Sequence, residues 1–296
     1  MDTTPIANPL ADEYPRDAAD RALVERARAG SRAALEELVS GHQRWIYNVV
    51  LRMVYYPADA EDVTQEILIK LITKLSSFEG KSSFRTWLYR IALNHVLNMK
   101  RRRSERTELT FTDYGRGLDS TPDEDLPDPS TAETGVLVDE ARIGCTSGML
   151  LCLDREQRLI YVLGAIFGVS DVVGGELLEL SRENFRQKLS RARRDLHSFM
   201  QGQCGLVNQA NPCRCAKKTR GFIAAGYLDP GKLLFAGGRV AAVREVATER
   251  SDEIDALDAA YAGIHRAHPF QRSPDFVAAL RSLLEHPDFK HTLDLQ

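Results

Sequence analysis

The sequence predicts an all-α protein of more than one domain, and three observations carry that prediction. Apolar residues recur at helical spacing over 19–104 and again over 136–200. No stretch of useful length alternates as a half-buried strand does. A Pro-broken acidic stretch separates the two helical blocks, and a length of 296 residues suits two or three domains.

Taken in order, "MDTTPIANPLADEYPRDAAD" is acidic and Pro-interrupted, without the basic start and apolar core of a signal peptide. Residues 1–18 are expected to be a disordered arm. From Ala19, the residues Leu23, Ala27, Leu35, Leu38, Trp45, Val49 and Met53 keep helical register, with Gly30-Ser31 as a break and N-cap. A helix restarts after Pro57. Its stripe of Val63, Ile67, Leu71 and Leu75 leaves Asp59, Glu61, Asp62, Gln65, Glu66 and Lys70 outward. After the loop "SSFEGKSS", Phe84, Trp87, Leu88, Ile91, His95 and Met99 line a further helix that runs into four cations, Lys100, Arg101, Arg102 and Arg103. Residues 105–135 hold three prolines and many acids without a period, and are expected to form a flexible acidic linker.

Helices resume at Val136 and run to about Met200. Ser170 caps a short helix, "DVVGGELL", and Ser181 caps "RENFRQKLSRARRDLHSFM", the layout of a helix-turn-helix. Phe185, Leu189, Ala192, Leu196 and Phe199 form the buried stripe of the second helix. Arg182, Asn184, Arg186, Gln187, Lys188, Arg191 and Arg194 lie elsewhere on it: donors at its first turns suit base edges, later ones phosphates. Gly174 and Gly175 inside the first helix count against it, at about 1 kcal/mol each relative to Ala. Beyond Met200 come a Cys-rich stretch, "CGLVNQANPCRC", and a tail in which "GGRVAAVREVATERSDEIDALDAAYAGI" and "PDFVAALRSLLEH" read as helices.

The chain holds 39 Lys+Arg and 42 Asp+Glu, but unevenly. Residues 81–106 carry eight Lys/Arg and one Glu, residues 107–140 ten acids and one Arg, residues 181–197 six Lys/Arg and two acids. Two basic blocks on helices suit two contacts with a polyanion. The longest apolar run, 159–169, is about half of the roughly 20 residues needed to span a bilayer, so a cytoplasmic protein is expected. Five cysteines, an odd number, argue against a disulfide framework. No phosphate-cradling loop, HExxH or paired-carboxylate pattern points to an enzyme. His265 and His268 form an i, i+3 pair too sparse to define a metal site, and Cys145 and Cys152 read as small buried hydrophobes. Cys204, Cys213 and Cys215 form C-x8-C-x-C, open to zinc, to a reversible redox pair or to simple packing, with Lys217, Lys218 and Arg220 expected to lower their thiol pKa values.

The ordered segments "ADAEDVTQEILIKLITKL", "FEGKSSFRTWLYRIALNHVLNMKRRR", "LDREQRLIYVL" and "LSRENFRQKLSRARRDL" resemble the extracytoplasmic-function (ECF) group of bacterial RNA polymerase sigma factors over residues 20–200. The resemblance implies a sigma-2-like domain at 19–104 and a sigma-4-like helix-turn-helix domain at 136–200 that reads the minus-35 element. It implies an alternative sigma factor, without enzymatic activity and with no required cofactor, that binds core RNA polymerase through the beta-prime clamp and the beta flap. Asp59, Glu61, Asp62, Gln65 and Glu66 would meet the clamp. Lys81, Ser82, Ser83, Arg85, Tyr89, Arg90, Asn94 and Asn98 would hold the single strand of the minus-ten element, with Lys100 to Arg103 on phosphates, while Trp87 and His95 pack. Promoter DNA, duplex and single-stranded, is the second partner, and the family leaves room for an anti-sigma factor. Residues 201–296 depart from a minimal member, which ends near residue 200, and read as a regulatory extension. The rival readings are a helix-turn-helix regulator outside polymerase and a metal- or redox-dependent enzyme in the C-terminal part.

Overall fold

The computed structural model describes residues 8–105, 108–126, 131–236, 239–242 and 256–285. Four helices form the first bundle: α1 (Asp17–Arg28), α2 (Arg32–Val54), α3 (Pro57–Lys74) and α4 (Phe84–Asn98). Ser31 and Ser83 start α2 and α4 by accepting the backbone N–H of Ala34 and Thr86. Pro57 opens α3, where its missing N–H costs nothing. The stripe read from α3 is the buried one, with Val63, Ile67, Leu71 and Leu75 all at 6% exposure or less. Inside the bundle His42 and Asp20 pair at 3.0 Å, satisfying two polar groups that burial would otherwise penalise.

The acidic segment is more ordered than its composition suggests. It contains α5 (Phe111–Ser120), capped by Thr110, which lays Phe111 against Phe199 at 5.1 Å and donates the Tyr114 hydroxyl to the Cys145 carbonyl at 2.7 Å. Two aromatics and Leu118, spaced along one face, supply the apolar contact that a purely repelling linker lacks. Residues 106–107 and 127–130 of that segment lie outside the described residues. The disordered-arm expectation is corrected likewise for residues 8–18: Leu10 and Tyr14 are buried. Its residues 1–7 lie outside the described set.

The second block is α6 (Ala132–Leu150), α7 (Arg155–Tyr161) continuing through a wider turn at Val162–Ile166, α8 (Asp171–Leu178) and α9 (Arg182–Gln203). Ser170 and Ser181 cap α8 and α9 as their positions predict. The two glycines of α8 are required by close approach. A Cβ at Gly174 would stand 2.4 Å from the Phe185 ring, and one at Gly175 2.8 Å from the Leu180 carbonyl oxygen. The helical cost of each glycine is thus offset by seating α9 directly on α8.

The extension begins with the Cys-rich turns, where Cys204 and Cys213 face one another as a backbone bridge, and continues in α10 (Cys215–Ala224). A short antiparallel ribbon follows, β1 (Arg239–Ala242) with β2 (Pro269–Gln271), then α11 (Ala256–Arg266) before β2 and α12 (Phe276–Glu285) after it. The helix expected from Gly237 to Ile264 is therefore a strand at its start and a helix at its end. Its residues 237–238 and 243–255 lie outside the described residues. Apart from this ribbon, the described residues form the all-α protein that the sequence predicts.

Two polar knots join the blocks. Glu140 of α6, 5% exposed, accepts the backbone N–H groups of Leu234, Phe235 and Ala236 at 2.6–3.2 Å. Arg158 of α7, 4% exposed, donates to the carbonyls of Met53 at 2.5 Å, Leu150 at 3.0 Å and Leu153 at 3.2 Å and pairs with Glu105 at 3.0 Å. Glu105 also holds Arg155 at 2.6 Å, and Arg155 donates to the carbonyls of Leu97 and Met99. The end of the first bundle is fastened to the start of α7 by these two guanidiniums, with the Glu105 carboxylate held between them.

Candidate nucleic-acid interface

The most exposed basic surface is the outer face of α9. Arg182, Asn184, Arg186, Gln187, Arg191 and Arg194 all stand in solvent, while Phe185, Leu189, Ala192 and Leu196 hold the helix from behind. Arg186 lies 3.6 Å from Asp171, and Gln187 donates to Glu183 at 3.2 Å. Lys188 differs from its neighbours: half-buried, it pairs with Glu156 at 2.7 Å and braces α9 on α7. The Ser181-capped end presents an amide and two guanidiniums in its first turns, the arrangement that enters a major groove.

A second surface is a groove of about 370 Å³ between α3 and α4, lined by Lys70, Lys74, Trp87, Arg90, Asn94 and Asn98, with His95 at its floor. Lys70 donates to His95 Nδ1 at 2.6 Å, which leaves Nε2–H to donate to Glu66 at 2.8 Å. Burial, then the Lys70 charge, pushes the imidazole pKa down, so His95 is a neutral packed histidine, as its position suggests. Asn94 and Asn98 are exposed, and Asn98 donates to the Asn94 carbonyl at 2.8 Å.

The aromatic of this groove is Trp87, half-buried, and not Tyr89, which is 1% exposed with its ring edge-on to His42 at 5.9 Å. The helix packs against α1, α2, α3 and α8, so its buried face is wider than the single stripe read from the sequence. Arg85 is likewise taken up. Its guanidinium donates to the carbonyls of Pro9, Ala11 and Asp12 and lies over the Tyr14 ring at 5.5 Å. Ser83 serves as the cap of α4, Ser82 donates to the Ser83 carbonyl, and Lys81, fully exposed, pairs with Glu79. Arg90 donates to the Glu176 carbonyl of α8 at 3.0 Å.

Of the cationic run, Lys100 is exposed, Arg101 pairs with Glu108 at 3.1 Å, and Arg103 lies over the Tyr56 ring at 5.1 Å. Arg102 folds back onto Glu66 at 2.6 Å. Burial opposes ionisation of Glu66, but the hydrogen bonds and charges of Arg102 and His95 win and hold its carboxyl below the usual range. The acidic face of α3 is thereby divided. Asp62 and Gln65 point freely into solvent, Asp59 and Glu61 are half-buried, and Glu66 is engaged within the chain. Burial, followed by the neighbouring Asp62, raises the Glu61 carboxyl.

Cys213 and Cys215 do not have the low pKa values that their cationic neighbours suggest. Burial raises Cys213, lifts Cys215 to about 11 and Cys152 to about 12, and raises Cys145 further. Lys218, adjacent in sequence, is itself buried and turns to the Thr121 carbonyl at 2.5 Å and Asp123 at 3.1 Å. Among the described residues no three His, Cys, Asp or Glu side chains are gathered closely enough to hold a metal ion. His265 and His268 are fully buried, their rings 5.4 Å apart. Among the same residues, no helix is long and apolar enough to cross a membrane.

Sequence reasoning missed Trp87, Lys70 and Lys74 as groove residues. The signal was there in part, since Trp87, Arg90, Asn94 and Asn98 follow one another at i+3 and i+4.

Residues 38–106 match the family described as Sigma-70 region 2. The RNA polymerase sigma-H factor of Pseudomonas aeruginosa is 36% identical over 126 residues, 41% of this chain and 63% of that one. The ECF RNA polymerase sigma-E factor of Escherichia coli K12 is 30% identical over 183 residues, 62% of this chain and 94% of its own. The chain thus spans less than two thirds of the first relative and nearly all of the second. Among solved structures, CnrH in complex with the cytosolic domain of CnrY aligns with a TM-score of 0.43 at 25% identity, over 62% of this chain and 97% of that one.

Proposed function

The chain belongs to the ECF group of RNA polymerase sigma factors, and on that premise we propose that it joins core polymerase in the cytoplasm and directs it to promoters as a binding subunit rather than an enzyme. The observation that carries this reading is the face of α9, six exposed donors on a helix seated by Gly174 and Gly175 against its partner. In this reading that face enters the duplex at the minus-35 element, and the domain carrying it sits at the beta flap. The groove of Trp87, Arg90, Asn94 and Asn98 receives single-stranded bases of the minus-ten element. An aromatic contributes about 1–3 kcal/mol per stacked base, and Lys70, Lys74 and Lys100 serve the phosphates. Run-off transcription with core polymerase and purified protein tests the whole. Specific initiation supports the reading, and its absence removes it.

Within this reading, Asp62 and Gln65 form the exposed part of the surface that meets the basic beta-prime clamp. Asp62→Lys with Gln65→Lys is expected to abolish co-purification with core polymerase at unchanged helix content. Glu66 is left intact because Arg102 and His95 depend on it. An anti-sigma protein covering the same face would lose affinity in parallel.

A thiolate-bound zinc at Cys204, Cys213 and Cys215 is the finer part of the proposal. Residue type and the Cys204–Cys213 backbone pairing support it, while the present spread of the side chains and the raised pKa values of Cys213 and Cys215 oppose it. Zinc content decides. Close to one equivalent per chain, lost in the triple serine variant, establishes the site; none leaves the group as packing.

A further inference from the structure

Phe270 of β2 is fully buried against two aromatics that belong to different blocks. Its ring centroid lies 5.2 Å from Trp45 of α2 and 6.4 Å from Phe167, just beyond α7, while Trp45 and Phe167 are themselves 5.2 Å apart. The next residue is held as firmly. Asn48 donates its amide to the Gln271 carbonyl at 2.9 Å and accepts the Gln271 N–H at 2.9 Å.

On either side, α11 and α12 grip one block each. Arg266 donates to the Ala165 carbonyl at 2.8 Å, Tyr261 stacks on His197 of α9 at 4.0 Å, and Arg281 pairs with Glu36 of α2 at 2.7 Å. The extension therefore bridges the bundle that carries the minus-ten groove and the domain that carries the recognition helix. It holds them where Arg90 touches Glu176.

That closed arrangement cannot read a promoter in the proposed manner. Elements centred at minus-ten and minus-35 are 25 base pairs apart, about 85 Å of duplex at roughly 34 Å per turn. The groove on α4 and the helix pair α8–α9 are in contact. Neither surface is covered, so duplex contacts by α9 stay available while simultaneous occupation of both elements does not.

We infer that residues 256–285 are an intramolecular clamp, seated by Phe270 against the touching rings of Trp45 and Phe167, that must release before both promoter elements can be engaged. The inference rests on the sigma-factor reading for its consequence, but its geometry stands apart from it. Because polymerase would bind the open form, the apparent dissociation constant is the intrinsic one divided by the fraction of open chain.

The test uses the full chain with Phe270→Ala, and with Asn48→Leu as a second variant that spares the aromatics and removes the two hydrogen bonds to Gln271, along with the bonds of Asn48 to Arg44 and Arg52 within α2. Small-angle scattering reports the radius of gyration, about 19 Å for a compact chain of 296 residues. Titration with core polymerase reports affinity. Phe270→Ala is expected to expand the chain and to bind core about tenfold or more tightly than wild type, with Asn48→Leu moving both readouts the same way by less. If Phe270→Ala does not fold by circular dichroism, Asn48→Leu decides alone. Equal radii and equal affinities in folded variant and wild type overturn the clamp and leave the sigma reading untouched. No core binding by any of the three overturns the sigma reading, and the radii still judge the clamp.

Discussion

Arg158→Leu is expected to destabilise the protein by about 3–5 kcal/mol, the range found when one partner of a buried ion pair is removed. The guanidinium gathers the carbonyls of Met53, Leu150 and Leu153 and the carboxylate of Glu105, and it is 4% exposed. A leucine of similar volume fills the space but satisfies none of these acceptors, and each buried unsatisfied group costs about 1–3 kcal/mol. Arg155 keeps its hold on Glu105 at 2.6 Å, which limits the loss. Urea unfolding of both chains measures the difference. A change under about 1 kcal/mol would mean that the network reorganises around water and that the junction is not built as described.

Acidification from pH 7.5 to 5.5 is expected to cost about 2–3 kcal/mol of stability, through His265 and His268. Burial, followed by Arg52 and His197, pushes His265 down to about 3, and burial with His265, Arg52 and Arg142 pushes His268 well below its usual value. Both rings therefore stay neutral in the folded chain, whereas the unfolded chain protonates them near pH 6.5. The unfolded state binds more protons, so this stability is complete above about pH 6.5 and declines as pH falls below it, continuing toward the folded values. Glu105 acts in a lower window. Burial opposes its ionisation, but Arg155 and Arg158 hold its pKa below 4.5, so its contribution is present above that value and is lost only beneath it. Thermal unfolding in buffers of matched ionic strength measures the effect, and His265→Phe should flatten the profile between pH 7.5 and 5.5. A profile already flat in the wild type would show that the two rings take up protons without loosening the extension.

What could be read from the sequence was what neighbours within a few residues decide. Ser31, Ser170 and Ser181 cap helices because a side-chain oxygen reaches an N–H three residues on. Val63, Ile67, Leu71 and Leu75 are buried because their spacing permits little else. The family and the exposed donors of α9 followed from the same local order. What could not be read depends on partners far along the chain. Arg85 is claimed by carbonyls more than 70 residues upstream, and Tyr89 is buried with its ring against His42 of α2, 47 residues away. Gly174 and Gly175 looked like defects until the Phe185 ring and the Leu180 carbonyl stood against them. The thiols of Cys213 and Cys215 are raised because burial outweighs the cations near them: Lys218 still lowers Cys213, but by less than burial lifts it. Only the expectation that acids and prolines leave a segment without structure failed locally: Phe111, Tyr114 and Leu118 give α5 an apolar face despite the charge around it.

The pairing of Asn48 with Gln271 has a meaning for the protein as a solute. A ribbon of two strands has open margins, and an open margin offers its backbone groups to any extended segment of another molecule. The carboxamide of Asn48 returns both bonds of Gln271 in the pattern that a third strand would use, and it does so from a helix that cannot propagate the sheet. One side chain thus seals that margin at the residue where it enters the core. A chain carrying Asn48→Leu at high concentration should consequently reveal its defect first as self-association through β2, before any loss of helix.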